Sequence, residues 1–293
     1  MRVYAPHNLY DRGTMITRAL SIAMLASLPV LASAAPMGAT VWSDEFDGPA
    51  GTAPDSTNWT LETGGHGWGN EELEFYTDRR DNSRLDGEGH LIIEARKEAF
   101  KEREYTSARM ITKGKFAHRY GRFEARIKLP KGQGIWSAFW IMGDNIDKAG
   151  WPGCGEVDIL ELLGHEPGKV YGTMHGPGYS DEGKIDPKDS HGIGSQWVLP
   201  DGGSFADDFH VFAVEWTPKS IRWFVDETCY QTRTIKDLHG AKWVFDRPFF
   251  FLLNVAVGGD WPGVPDVTTP FPQRMVVDYV RVLDLPKETK PAR

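Results

Sequence analysis

The chain has 293 residues, a quarter of them charged, and a net charge of −8. An acidic balance of this size argues against a nucleic-acid partner, and two cysteines are too few for a small disulfide-built scaffold. No HExxH, CxxC pair or phosphate-binding loop occurs, so no catalytic metal or nucleotide is implied.

Residues 1–34 read as a secretion signal. Arg2, Arg12 and Arg18 precede the apolar stretch LSIAMLASLPVLASA (20–34), which ends in the small-residue pattern Ala32-Ser33-Ala34. Met15 is a second candidate start. The stretch is shorter than the roughly 20 apolar residues a membrane span needs, and Ser and Pro interrupt it. An uncleaved anchor is the alternative. Removing the segment takes away three Arg and one Asp and moves the net charge from −8 to −10. The expected location is secreted or periplasmic, with no membrane association after removal.

Residues 35–285 read as one large β domain, followed by a polar tail at 286–293, PKETKPAR. Period-2 alternation recurs along it. In RFEARIKL (122–129), Phe123, Ala125, Ile127 and Leu129 take one face and the charged residues the other. HVFAVEW (210–216), IRWFVD (221–226) and VVDYVRV (276–282) alternate similarly, whereas FFFLLNVAV (249–257) reads as buried on both faces. In GIWSAFWIM (134–142), Trp136, Ala138, Trp140 and Met142 share a face, and small Ala138 leaves room between two indoles. No helical stripe follows residue 34. Many strands joined by Gly/Pro turns predict an all-β sandwich of two antiparallel sheets. The Gly/Asp/Ser-rich stretch from Gly178 to Asp208 is the least regular part, a long loop of the kind that walls a site. Cys154 and Cys229 could pair after export, but nothing in the sequence brings them together.

The run Gly155-Glu156-Val157-Asp158-Ile159-Leu160-Glu161 sets three carboxylates among strand-forming apolar residues. A buried carboxylate needs partners or a shifted pKa. Glu156 and Asp158 share a strand face, and Glu161 would point away. One β-bulge at Ile159 or Leu160 returns Glu161 to their face. Two carboxyls facing one cleft about 5 Å apart are what retaining glycoside hydrolysis requires. The outer Cα atoms would stand roughly 13 Å apart, so the side chains must lean inward over a concave surface. Solvated acids on an edge strand, or a calcium ligand cluster, fit the same spacing.

At this point the chain resembles glycoside hydrolase family 16, and within it the laminarinase-like endo-β-1,3-glucanases. The bulged signature reads GEVDILE here. VWSDEFDG (41–48), WGNEELEFYT (68–77), the long block 105–143, YGTMHG (171–176), FADDFHVFAVEWTP (205–218), FFLLNVAVGGDWPG (250–263) and VDYVRV (277–282) are similar to that family in the same order. The resemblance implies a β-jelly roll with a concave cleft. It also implies Glu156 as nucleophile, Glu161 as acid/base and Asp158 as their support. The activity it implies is endo-hydrolysis of β-1,3-glucan by double displacement in a secreted monomer. Mixed-linkage glucan, agarose or carrageenan are alternative substrates, and a glucan-binding protein without catalysis is the alternative class. Retention of both Glu residues separates the enzyme from the binder.

Sugar rings pack on aromatic faces, which makes Trp136, Trp140, Trp151 and Trp261 candidate platforms. Asn70, Glu72, Arg109, His175 and Asn254 interrupt apolar or small-residue runs inside the matching blocks, and the resemblance gives them substrate-binding or supporting roles, Arg109 as electrostatic support. GNEELEFYT departs from the family's usual form, in which an amide often stands in place of Glu74. No cofactor for catalysis is implied, but the resemblance implies a structural calcium near Glu45, Gly89 and Asp278, oxygen donors of the type calcium takes.

Overall fold

In the computed structural model, residues 38–180 and 192–286 are described. The proposed signal segment and residues 287–293 of the tail lie outside them. Two sheets pack face to face. The ten-stranded sheet runs Thr228–Thr234, Ser220–Val225, His210–Trp216, Gly121–Lys128, Gln273–Leu283, Leu91–Phe100, Arg103–Ser107, Glu74–Tyr76, with Thr40–Asp44 and Ser83–Leu85 added at the side. The seven-stranded sheet runs Ile193–Val198, Lys169–His175, Glu156–Leu163, Ile135–Gly143, Phe249–Val257, Arg109–Ile111, Thr60–Glu62. Together they form the expected jelly-roll sandwich. One pairing departs from the antiparallel expectation, since Glu74–Tyr76 runs parallel to Arg103–Ser107.

The alternation read from sequence sorts the side chains. Phe123, Ala125, Ile127 and Leu129 are all buried in the core between the sheets. Arg122 and Glu124, on the opposite face, are also nearly covered, because they neutralise each other at 2.7 Å. Phe249–Val257 is buried at all nine positions. Its odd-numbered residues enter the inter-sheet core, while Phe250 and Leu252 join Ile111 beneath Trp140 and Met142 on the cleft side. Truncating such a Phe to Ala costs about 3–5 kcal/mol, so this central strand fixes the height of the cleft floor.

The described residues contain two short helical pieces, Ile146–Ala149 and the 3-10 turn Ile235–Leu238. Both sit in connections. Of the stretch 178–208, residues 181–191 lie outside the described residues; within the rest, Ile193–Val198 pairs with Lys169–His175 and forms the edge of the cleft sheet. Cys154 is buried and Cys229 half-buried, and both thiols are free.

Candidate active site

The acids sit on Glu156–Leu163, between Lys169–His175 and Ile135–Gly143. Against the latter, Glu156 faces Met142 and Asp158 faces Trp140, but Leu160 then faces Phe139 and Glu161 faces Ala138. Ile159 is the unmatched residue of a bulge. Against Lys169–His175 the same extra residue falls between the Asp158–Thr173 and Glu161–Tyr171 pairs. The bulge has two effects. Ile159 and Leu160 both turn into the inter-sheet core, and Glu156, Asp158 and Glu161 all line the cleft.

Each acid has different company. Glu156 Oε2 accepts from the Trp151 indole N–H at 3.1 Å, and His175 Nε2 lies 3.8 Å from Glu156 Oε1. Asp158 Oδ2 lies 3.0 Å from the same His175 nitrogen without a hydrogen-bond alignment. Glu161 Oε1 accepts from the Trp136 indole N–H at 3.1 Å. His175 is held in turn, its Nδ1 3.2 Å from Ser180 Oγ.

Burial dominates the electrostatics. It raises Glu156 to about 7, with Asp158 adding to the rise and His175 and the Trp151 N–H opposing it. Burial raises Asp158 to about 8. Glu161 is held well above the usual carboxylate range by burial first and by Asp158 second. Three charges do not coexist here at neutral pH, and the protons belong to the cluster. Glu156 is the acid with both an N–H donor and a neighbouring imidazole, while Glu161 has a single indole donor. These environments favour charge on Glu156 and a proton on Glu161.

All the substrate-binding candidates line the same cleft: Asn70, Glu72, Arg109, Trp136, Trp140, Trp151, His175, Asn254 and Trp261. Their manner of doing so differs. Trp151 and Trp261 are 50% and 43% exposed, open as platforms. Trp261 meets Trp136 and Tyr171 edge-on. The Trp140 indole N–H donates to Asn254 Oδ1 at 2.8 Å, and one face of its ring carries the Arg109 guanidinium, which lies between Trp140 and Trp68. Arg109 pairs with Glu62 at 2.7 Å and lowers Glu156 only as the smallest contribution. Glu72 and Asn254 are nearly fully buried. They orient neighbours, Asn254 by donating to Tyr76 OH at 3.2 Å, and Glu72 by accepting from Tyr76 OH and Asn70 Nδ2.

Sequence reasoning did not single out Tyr76, Trp68, Tyr171, Ser180 or Trp223. Trp68, Tyr76 and Tyr171 stood inside the motif blocks, which was signal enough to find them. Ser180 had only its distance of five residues from His175, and Trp223 looked like any alternating core residue.

Two of the three residues assigned to calcium hold arginines with their side chains. Both Glu45 oxygens accept from Arg281, and Asp278 Oδ2 pairs with Arg126 at 2.6 Å. As arranged, these two carboxylates neutralise arginines, and calcium enters no step below.

The cleft holds about 1920 Å³, beyond the roughly 300–1,000 Å³ of a small-molecule pocket. A groove of polymer size, with indole walls and two differently poised carboxyls on its floor, defines a polysaccharide-cleaving hydrolase. Residues 68–281 match the Glycosyl hydrolases family 16, and the chain belongs to that family. It is 45% identical over 262 residues to a beta-glucanase of Rhodothermus marinus, covering 85% of this chain and 86% of that one. Among solved structures, the laminarinase catalytic domain of Thermotoga petrophila is 49% identical with a TM-score of 0.77, over 85% of this chain and 98% of that one. The endo-β-1,3-glucanase of Pyrococcus furiosus is 48% identical with a TM-score of 0.78, over 84% and 94%.

Proposed function

We propose that this glycoside hydrolase cleaves internal β-1,3-glucosidic bonds of laminarin-type glucans by double displacement with retention. Charged Glu156 attacks the anomeric carbon, while Glu161 gives its proton to the departing glycosidic oxygen. A glycosyl ester on Glu156 results. Glu161, now charged, removes a proton from water, whose oxygen attacks the same carbon and frees Glu156. Both inversions together keep the β configuration.

The observation that carries this reading is the bulge at Ile159, which sets Glu156 and Glu161 on one face, each with one indole donor, and leaves the His175 imidazole beside Glu156. Asp158, itself raised to about 8, adds charge beside Glu161 as it ionises, and that charge holds the proton on Glu161 toward alkaline pH. The β-1,3 preference is supported by the similarity to enzymes described as laminarinases and endo-1,3-β-glucanases. Export to the periplasm or medium is supported by the signal-like pattern of residues 1–34, and action as a monomer by a site assembled within one chain.

Reducing-end release from laminarin, lichenan, agarose and carrageenan, with proton NMR of the first product, tests the proposal. Laminarin should be cut fastest and the β-anomer should appear first. An initial α-anomer would exclude the nucleophile assignment, and faster cleavage of another polysaccharide would reassign the substrate.

A further inference from the structure

At the cleft lining, to which Glu72 belongs, two carboxyls that this reaction does not use are buried together. Glu72 is 2% exposed and Glu74 fully buried. Glu72 accepts from Asn70 Nδ2 and from Tyr76 OH, each at 2.9 Å. Glu74 Oε2 accepts from the backbone N–H of Val257 at 2.6 Å, and its Oε1 is buried with no hydrogen-bond partner. Every donor in this set is neutral. The cation that reaches the network, Arg109, is paired with Glu62. Tyr76 shares the Glu74–Tyr76 strand, Tyr105 stands opposite Glu74 on the parallel strand, and Phe249–Val257 carries no ionisable side chain.

Two adjacent buried carboxyls without a bound cation do not both ionise. Both Glu72 oxygens are already occupied by donors, whereas Glu74 has one bare oxygen. The single proton therefore sits on Glu74 Oε1, where it can donate to Glu72. Burial and the neighbouring Glu72 charge act in the same direction on Glu74.

What this proton would hold is a piece of the site. The turn Gly67–Leu73 is closed by the Asn70 and Glu72 amides on the Gly67 carbonyl, and Leu73 N–H donates to Val257 O at 2.7 Å. The Asn70 carbonyl accepts from Asp260 N–H at 3.0 Å, one residue before the exposed Trp261. Trp68, Asn70, Asp260 and Trp261 all line the cleft. We propose that protonated Glu74 is a positioning residue that straps this turn to the cleft floor through Glu72 and Val257, so that losing its proton loosens Asn70 and the Trp261 loop and weakens glucan binding.

The inference uses laminarin as its probe and so rests on the substrate reading above, but a second measurement does not. KM and kcat for laminarin are measured from pH 6 to 10 in the wild type and in Glu74→Gln, whose amide keeps an acceptor for Val257 and a donor for Glu72 and cannot titrate. In the wild type KM should climb above the titration by up to about tenfold per pH unit. In the variant it should stay flat, while the alkaline kcat limb set by Glu161 remains. A variant KM profile that follows the wild type overturns the strap. Amide hydrogen exchange of residues 67–73 in the wild-type protein, corrected for the intrinsic pH dependence, decides the matter without substrate or variant. Protection should fall about tenfold or more across the titration, and constant protection overturns the proposal. Failure of both proteins to cleave laminarin would count against the substrate and leave the exchange result standing.

Discussion

Trp223 donates its indole N–H across the sandwich to the backbone carbonyl of Asp158, 2.8 Å away. Trp223 belongs to the ten-stranded sheet and is fully buried. Asp158 is the last residue before the bulge on the other sheet. The bond satisfies a carbonyl where the ladder is interrupted and fixes the height from which the three carboxyls lean into the cleft. Packing of the whole domain is thereby tied to the position of Glu156 and Glu161.

Trp223→Phe should keep most of the ring volume and leave that carbonyl unpaired. A loss of about 1–3 kcal/mol in stability is expected, together with a fall in kcat larger than any change in KM. Chemical denaturation beside steady-state kinetics measures both. Unchanged kcat would show that the bulge holds its shape without the cross-sheet bond.

The rate should depend on pH as a bell. Attack needs Glu156 charged, so the acid limb falls below about 7. Leaving-group protonation needs Glu161 neutral, and its raised proton affinity places the alkaline limb well above the usual carboxylate range. Asp158→Asn removes the second-largest cause of that rise and should move the alkaline limb downward, as read from kcat against pH. A limb that stays in place would separate Asp158 from Glu161.

Much of this was legible in the sequence, for a physical reason. Carboxylates in an apolar strand are costly enough to need a function, and period 2 fixes which side chains share a face. The bulge followed from the wish to bring Glu161 round, and the structure sets it at Ile159. Long-range partners were not legible. Nothing local in IRWFVD tells Trp223 that its N–H meets Asp158, and nothing in RMI tells Arg109 that Glu62 takes its Nε. The strand at Ile193–Val198 was hidden because Gly194, Ser195 and Gln196, exposed at the centre of IGSQWV, break the apolar alternation and read as loop.

Glu156→Gln should abolish turnover and retain oligosaccharide binding, since the amide preserves shape and loses the nucleophile. It should also stabilise the protein in a defined pH window. The folded pKa of Glu156 lies above its unfolded value, so the native state binds the extra proton and wild-type stability falls as pH rises from about 4.5 to about 7. An amide has no such loss. The variant should match the wild type near pH 4.5 and exceed it by ~1–3 kcal/mol at pH 8. Melting curves at the two pH values test this, and equal stability at both would mean that Glu156 is better solvated than its surroundings indicate.

The four tryptophans read from sequence as platforms should divide into two kinds. Trp151 and Trp261 stand half out of the protein, so replacing either by Ala removes a sugar platform at little cost in folding. Each loss is worth roughly 1–2 kcal/mol of binding, about five- to thirtyfold in affinity for a long oligosaccharide. Trp136 and Trp140 are more deeply embedded, one bonded to Glu161 and the other to Asn254 with Arg109 against its ring. Trp140→Ala should therefore lower the melting temperature as well as affinity, because it strands the Asn254 carbonyl and uncovers the guanidinium. Trp136→Phe should keep the wall and withdraw the N–H that favours charge on Glu161, moving the alkaline limb of kcat upward. Melting temperature, KM and the kcat profile of the four variants distinguish these effects. A Trp261 variant with a steep fall in melting temperature and unchanged KM would move that ring from the site to the framework.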